Sequence, residues 1–173
     1  MSHKLIPEYI DPVRYAEQGL SLDGVAKVSD MDRLKTSVHS SDGEVILHLQ
    51  FGIDEQGIIF LKGRLKTTLS LLCQRCLEPF DYEIASDFAL GVVKTLDEAN
   101  GLPSHYEPAL MQEGRLALRE LIEDEVMLNL PIISKHEANH CKVEMPQMDS
   151  GWKQDQGKNP FQVLESLKDK KQR

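Results

Sequence analysis

Aromatic residues are scarce, cysteines are few, positive charge is outnumbered and no long apolar run occurs anywhere in the 173 residues. Each shortage excludes something. Aromatics make up 6% of the chain, so aliphatic side chains must fill most of any core. Three cysteines cannot all pair internally, which counts against a secreted disulfide framework and for a reducing compartment. The opening Met1-Ser2-His3-Lys4-Leu5-Ile6-Pro7 shows no signal-peptide apolar region. No stretch approaches the roughly 18 apolar residues of a membrane helix, so a cytoplasmic protein with no membrane partner is expected. Lysine and arginine number 20 against 28 aspartates and glutamates, a formal charge of −8. That disfavours nonspecific attachment to a polyanion and leaves room for a local basic surface. A Gly-rich phosphate loop, a nucleophile elbow and a His-Glu-x-x-His motif are all missing. With them go the usual signs of an enzyme or of a small-molecule substrate.

What remains suits one folded domain with a tail, since domains commonly run to about 100–150 residues. At 40% hydrophobic and 28% charged residues the composition is that of a globular protein. The first 40 residues read as a mixed lead-in: a strand within Lys4–Ile10, and a short helix over Pro12–Gln18 with Asp11 as N-cap and Gly19 as its end. A strand at Val25–Val28 and a short helix from Met31 towards Val38 follow. The centre is clearer. Val45, Leu47, Leu49, Phe51 and Ile53 alternate with Glu44, Ile46, His48 and Gln50, the period of a strand with one buried face. Asp54-Glu55-Gln56-Gly57 signals a turn. A long strand from Ile58 to about Leu72 comes next, then a third in which Tyr82, Ile84, Phe88, Leu90 and Val92 alternate. Three such strands predict an antiparallel meander. A polar loop spans 97–107, and Leu116–Leu130 reads as a helix with Leu118, Leu121, Ile122 and Leu128 on one stripe. The expected fold is α+β: an antiparallel sheet, open or closed into a barrel, with one main packed helix and short flanking helices. Residues 1–143 form the expected domain. Residues 144–159 read as a flexible linker. Residues 160–173 read as a short helix, opened by Asn159 and Pro160 and carrying Phe161, Leu164 and Leu167 on one face, with a basic tail.

Four constellations bear on chemistry. The sharpest is Cys73-Gln74-Arg75-Cys76, because two thiolates at this spacing grip one tetrahedral metal ion from a tight turn. They supply half a site. Cys141 with His136 or His140 would complete a Cys3His set. His140 and Cys141 are adjacent and awkward as joint ligands, whereas His136 folds back more easily. Zinc at Cys73, Cys76, His136 and Cys141 is one reading. Two cysteines in a buried hairpin turn and a third on a loop is the other. A redox pair fits poorly, since that chemistry favours a helix N-terminus and these flanks read as strands. Second, Lys62, Arg64 and Lys66 share one face of the long strand with Arg75 in the turn beyond, a row that suits a structured phosphate backbone or is simply solvated. Third, Glu123, Asp124 and Glu125 crowd the main helix, as a partner-docking face or as carboxylates for metal-assisted chemistry. Fourth, the 160–173 helix is too short to stand alone and must dock, through Phe161, Leu164 and Leu167, on its own domain or on a partner.

Asp11-Pro12-Val13-Arg14, the Cys73-to-Phe80 segment, the run Leu121-Ile122-Glu123-Asp124-Glu125 through Pro131, then His136, His140-Cys141 and Asn159-Pro160-Phe161 stand in an order that resembles the YceD family, the large ribosomal RNA subunit accumulation proteins. The resemblance implies a bacterial cytoplasmic factor in the synthesis, processing or stability of 23S rRNA, and it carries over no catalytic residue. Many members have further cysteines after the Leu-Pro element, where this chain has only Cys141 and two histidines. The expectation is a non-enzymatic ribosome-biogenesis factor whose partners are pre-ribosomal RNA, a large-subunit ribosomal protein, or both. Its rivals are an acidic chaperone for one ribosomal protein without RNA contact, and a metal-dependent nuclease built on Glu123, Asp124 and Glu125.

Overall fold

The structure, a computed structural model, describes residues 4–137 and 140–141. The linker and last helix read from the sequence, including Phe161, Leu164 and Leu167, lie outside the described residues.

A two-residue strand β1 (Tyr9–Ile10) leads into α1 (Pro12–Glu17). Asp11 caps α1 by accepting the Arg14 N–H at 3.1 Å, with proline at the first helical position. Strand β2 (Ser21–Lys27), a 3-10 turn at Val28–Asp30 and α2 (Leu34–Ser37) follow. Then come β3 (Glu44–Ile53), β4 (Ile59–Leu72) and β5 (Pro79–Val93), the expected meander. The β3–β4 turn is fixed locally. Asp54 Oδ1 accepts the N–H groups of Gln56 and Ile58, and Gly57 takes the left-handed conformation (φ 82°) that a side chain would resist.

The region read as a polar loop holds two elements, α3 (Leu96–Asn100) and β6 (Glu107–Leu110). β6 joins the sheet parallel to β5, so the sheet is antiparallel except at this edge. The crossover through α3 supplies the length that a parallel connection requires. Strand β7 (Leu116–Ala117) pairs with β1, and α4 (Leu118–Leu128) therefore begins two residues later than the hydrophobic stripe suggested. The five-stranded sheet runs in the order β2-β3-β4-β5-β6 and stays open. No helix among the described residues is long and apolar enough to cross a membrane.

One face of this sheet is the core. Leu47, Leu49, Phe51, Leu61, Leu65, Leu69 and Leu71 all point inward and are buried. Ala16 of α1, Leu34 of α2 and Leu118, Ile122 and Val126 of α4 close over them. Leu128 departs from the expected stripe. At 100° per residue it sits about 120° round the helix from Ile122 and is 74% exposed, while Val126 takes the inward place. The opposite sheet face, with Lys62, Arg64 and Lys66, points away from the core.

Candidate metal centre and nucleic-acid interface

The β4–β5 hairpin ends in a knuckle whose backbone bends round the Cys73 sulfur. Cys73 N–H donates to the Glu78 carbonyl at 2.9 Å, and Leu77 N–H donates back to the Cys73 carbonyl at 2.8 Å. Leu77 adopts φ 60°, a left-handed conformation that costs a leucine roughly 1–2 kcal/mol and marks a turn held by its surroundings. The segment after α4 folds back onto this turn, with Gln74 N–H donating to the Ser134 carbonyl at 2.8 Å and the His136 ring packing 4.9 Å from the Phe80 ring. The ligand atoms of Cys73, Cys76, His136 and Cys141 thereby lie within 4.8 Å of one another. A tetrahedral zinc with sulfur bonds near 2.3 Å has ligand–ligand edges of about 3.8 Å, so small adjustments would close the site. Cys76 Sγ and His136 Nδ1 are already 3.4 Å apart.

Three electrostatic features fit a cation there. Burial pushes the Cys73 thiol up, but backbone N–H groups of Cys76, His136 and Arg75 and the His136 side chain outweigh it and hold the thiol at about 5, well on the thiolate side. Burial pushes the Cys76 thiol up, against the Glu78 N–H, and the neighbouring Cys141 and Cys73 sulfurs push it further. Like charges crowd here, as they do where a metal draws thiolates together. Arg75 turns inward, with its Nε donating to Cys141 Sγ at 2.9 Å. Its Nη2 is buried with no hydrogen-bond partner among the described residues, a costly state for a guanidinium unless a nearby negative charge compensates it. Three thiolates around a divalent ion carry a net −1, which the guanidinium would balance.

Lys62, Arg64 and Lys66 stand in a row on the outer face of β4, all exposed. Arg75 belongs instead to the cysteine cluster. Arg64 is tied to Asp87 of β5 (Nε to Oδ1, 2.7 Å), and that hydrogen bond raises its pKa further. On the β3 side His48 Nδ1 meets Asp23 of β2 at 2.5 Å. Lys62 lies beside Gln50 and Ala89, and its ammonium sits 4.9 Å from the Phe60 ring centroid. Lys66 lies beside Ile46 and Ala85. Neither lysine has an acidic partner among the described residues, so two cations with uncommitted charge flank one half-neutralised arginine. A depression of about 880 Å³ runs along Lys62, Arg64 and His48 towards Ser104 and His105.

Of the α4 carboxylates singled out in the sequence, Glu123 and Asp124 meet at Arg33 and Glu125 stands apart. Glu123 turns inward: Oε1 accepts the N–H groups of Arg33 (2.6 Å) and Leu34 (2.9 Å), and Oε2 accepts from Arg33 Nη2 (3.0 Å) and Nε (3.3 Å). It thus caps α2. Burial pushes the Glu123 carboxyl up, but the Leu34 N–H and then the Arg33 guanidinium and N–H hold it below the usual range. Asp124 pairs with Arg33 Nη1 at 2.5 Å. Glu125 is 8% exposed as a residue, no described donor reaches its carboxylate, and its oxygens keep contact with solvent. Burial, with Glu107 and Asp124 nearby, raises its pKa. Arg33 is the residue that sequence reasoning missed. It lies 90 positions from Glu123 in a short polar segment, and no local pattern connects them.

The family described as large ribosomal RNA subunit accumulation protein YceD matches residues 61–168, which takes in the knuckle, the basic row, α4 and Cys141. The large ribosomal RNA subunit accumulation protein YceD of Haemophilus influenzae is 32% identical over 169 residues, covering 95% of this chain and 97% of that protein. No solved structure matches.

Proposed function

The chain belongs to the YceD family of large ribosomal RNA subunit accumulation proteins, and from that premise we propose that it is a non-catalytic, cytoplasmic ribosome-biogenesis factor that supports 23S rRNA by binding structured pre-ribosomal RNA on its outer sheet face. The observation that carries this reading is the row Lys62, Arg64 and Lys66 on an exposed sheet face in a protein that is otherwise acidic. Cations spaced two residues apart along a strand repeat at about 6.8 Å, near the spacing of successive phosphates along an RNA strand. Contacts of this kind position a backbone and do not read sequence. Crosslinking in cells, followed by identification of bound RNA, tests it. Precursors of the large-subunit rRNA should be recovered. Reversal of Lys62, Arg64 and Lys66 to glutamate should abolish the crosslinks, and unchanged crosslinks would refute the assignment.

The reading includes a structural zinc ion held by Cys73, Cys76, His136 and Cys141. Thiolate-rich tetrahedral donor sets select zinc, and four protein ligands leave no open position for substrate. Its part is to fasten the segment after α4 to the β4–β5 hairpin. Elemental analysis of the purified chain should give one zinc per molecule, and Cys141→Ser should lower the content and the melting temperature together. A metal-free preparation whose stability is indifferent to that substitution would leave the cysteines as turn and core residues.

Non-catalytic action is supported by the commitment of the α4 carboxylates: Glu123 and Asp124 both accept from the Arg33 guanidinium, and Glu123 also from the start of α2, so their oxygens serve a structural ion pair and not a metal. Restoration of rRNA levels by a Glu123/Asp124→Ala chain would exclude the nuclease reading. A second reading has its own support. The acidic character of the molecule, −8 overall, suits an adaptor for a basic large-subunit ribosomal protein. Pull-downs with and without ribonuclease separate the two, because a partner that survives nuclease with no rRNA recovered favours the adaptor.

A further inference from the structure

A groove of about 750 Å³ lies between β6, β7 and α4. Its walls are acidic and its floor is apolar. Glu107, Glu113, Glu120 and Glu125 line it against a single cation, Arg115, while Asp124 at its border is already paired with Arg33. The apolar part is formed by Leu121 and by Leu110 and Leu128, the last two exposed.

Glu125 separates this groove from an ordinary acidic patch. More than nine-tenths of the residue is buried, yet no described donor reaches its carboxylate, and the same carboxylate borders the groove. The residue is largely buried while its oxygens remain open to solvent at the groove, so the carboxylate is poorly hydrated and has no described protein donor in the folded chain alone. A cation delivered from outside would offset that poor hydration and gain a desolvated, charge-assisted hydrogen bond. Leu128, turned out of the core, offers the apolar contact that fixes such a cation in place.

We propose that this groove binds a basic, partly apolar segment of a protein partner, one of whose lysine or arginine side chains reaches Glu125. The occupant's chemistry follows from the walls: excess negative charge selects a cationic chain over RNA, and the leucines select one with apolar residues among its cations. Glu107, Glu125 and Leu128 also border the depression that carries Lys62 and Arg64, so a protein segment and an RNA would be held on adjoining surfaces. The inference rests on the groove and not on the RNA assignment.

The test uses the full chain and a labelled synthetic peptide of lysines and leucines, with a glutamate-for-lysine version of the same peptide, followed by fluorescence anisotropy. The basic peptide should bind and the acidic one should not. Glu125→Gln should weaken binding about tenfold or more, and Leu128→Ser should weaken it as well. Asp81→Asn and Glu83→Gln, exposed acids on β5 away from the groove, should change it little. Equal losses at both sets of sites would mean diffuse attraction to an acidic protein and would overturn the proposal. So would efficient competition by an RNA oligonucleotide, or sedimentation showing the groove filled by a second copy of the chain. Glu113→Gln, which lines the groove and not the depression beside Lys62, should weaken peptide binding while RNA crosslinking measured in parallel is retained, which keeps a failure of this inference distinct from a failure of the RNA reading.

Discussion

Arg33 and Glu123 show how much a single pair of side chains fixes here. Glu123 is one of few buried charges, and it is fully engaged: two backbone N–H groups of the α2 start and a forked guanidinium share its two oxygens. Glu123→Ala leaves those donors without an acceptor and should cost about 2 kcal/mol, read as a shift of the urea midpoint. Because the folded Glu123 pKa lies below its unfolded value, the pair contributes fully above that unfolded value, about 4.3. The contribution is lost as pH falls through the folded pKa. Acid titration of the unfolding free energy should therefore be flatter in Glu123→Ala than in the parent below about pH 4.3. Glu125 works in the opposite sense. Its folded pKa is raised by burial, so its contribution becomes less favourable as pH rises from the unfolded value through the folded one. Glu125→Gln should stabilise the isolated chain at neutral pH and make no gain in acid, with thermal melts at two pH values as the measurement. The substitution that weakens peptide binding should thus strengthen the fold, a combination that loss of structure cannot produce.

At the scale of elements, β4 and β5 depend on one close approach. Gly63 faces Phe88 across the strand pair, and a Cβ at that position would run into the ring. Gly63→Ala should destabilise by about 1–3 kcal/mol, the usual range for overpacking, and Phe88→Leu should recover part of that loss when combined with it; a double-mutant cycle showing strict additivity would deny the contact. The meander was legible in the sequence because period-two alternation over ten or more residues has no competing explanation. The parallel β6 and the β1–β7 pair were not, because four-residue and two-residue strands carry too few positions for a period to show. Pro103 and Pro108 in the crossover read more naturally as loop. The cluster was partly legible for a similar reason. Cys73 and Cys76 are neighbours in sequence and announce themselves, and His136 was preferred over His140 on chain geometry. Their meeting across some 60 residues, and the inward turn of Arg75 from the end of the basic row, depend on how the segment after α4 packs, which spacing alone does not encode.

For the whole molecule the question is how a chain with net −8 engages a polyanion. Lys62, Arg64 and Lys66 face out from the sheet, while the acidic groove lies at the β6 edge between β6, β7 and α4. Overall repulsion slows encounter at low ionic strength, and the local row supplies the contact. These two effects respond differently to salt and can be separated. If the three cations each neutralise one phosphate, counterion release makes log affinity fall with log salt at about 0.7 per single-strand phosphate. Replacing all three with glutamine should then reduce the magnitude of that slope by about 2 and weaken binding most at low salt. Arg64, already tied to Asp87 at 2.7 Å, should account for the smallest share, so Lys62→Gln and Lys66→Gln should each lower the slope more than Arg64→Gln does. Arg75→Gln offers the internal control. Its guanidinium lies against Cys141, so its loss should leave the slope unchanged and lower thermal stability together with zinc retention. A slope that drops with Arg75 and not with the lysines would move the RNA contact from the sheet face to the knuckle.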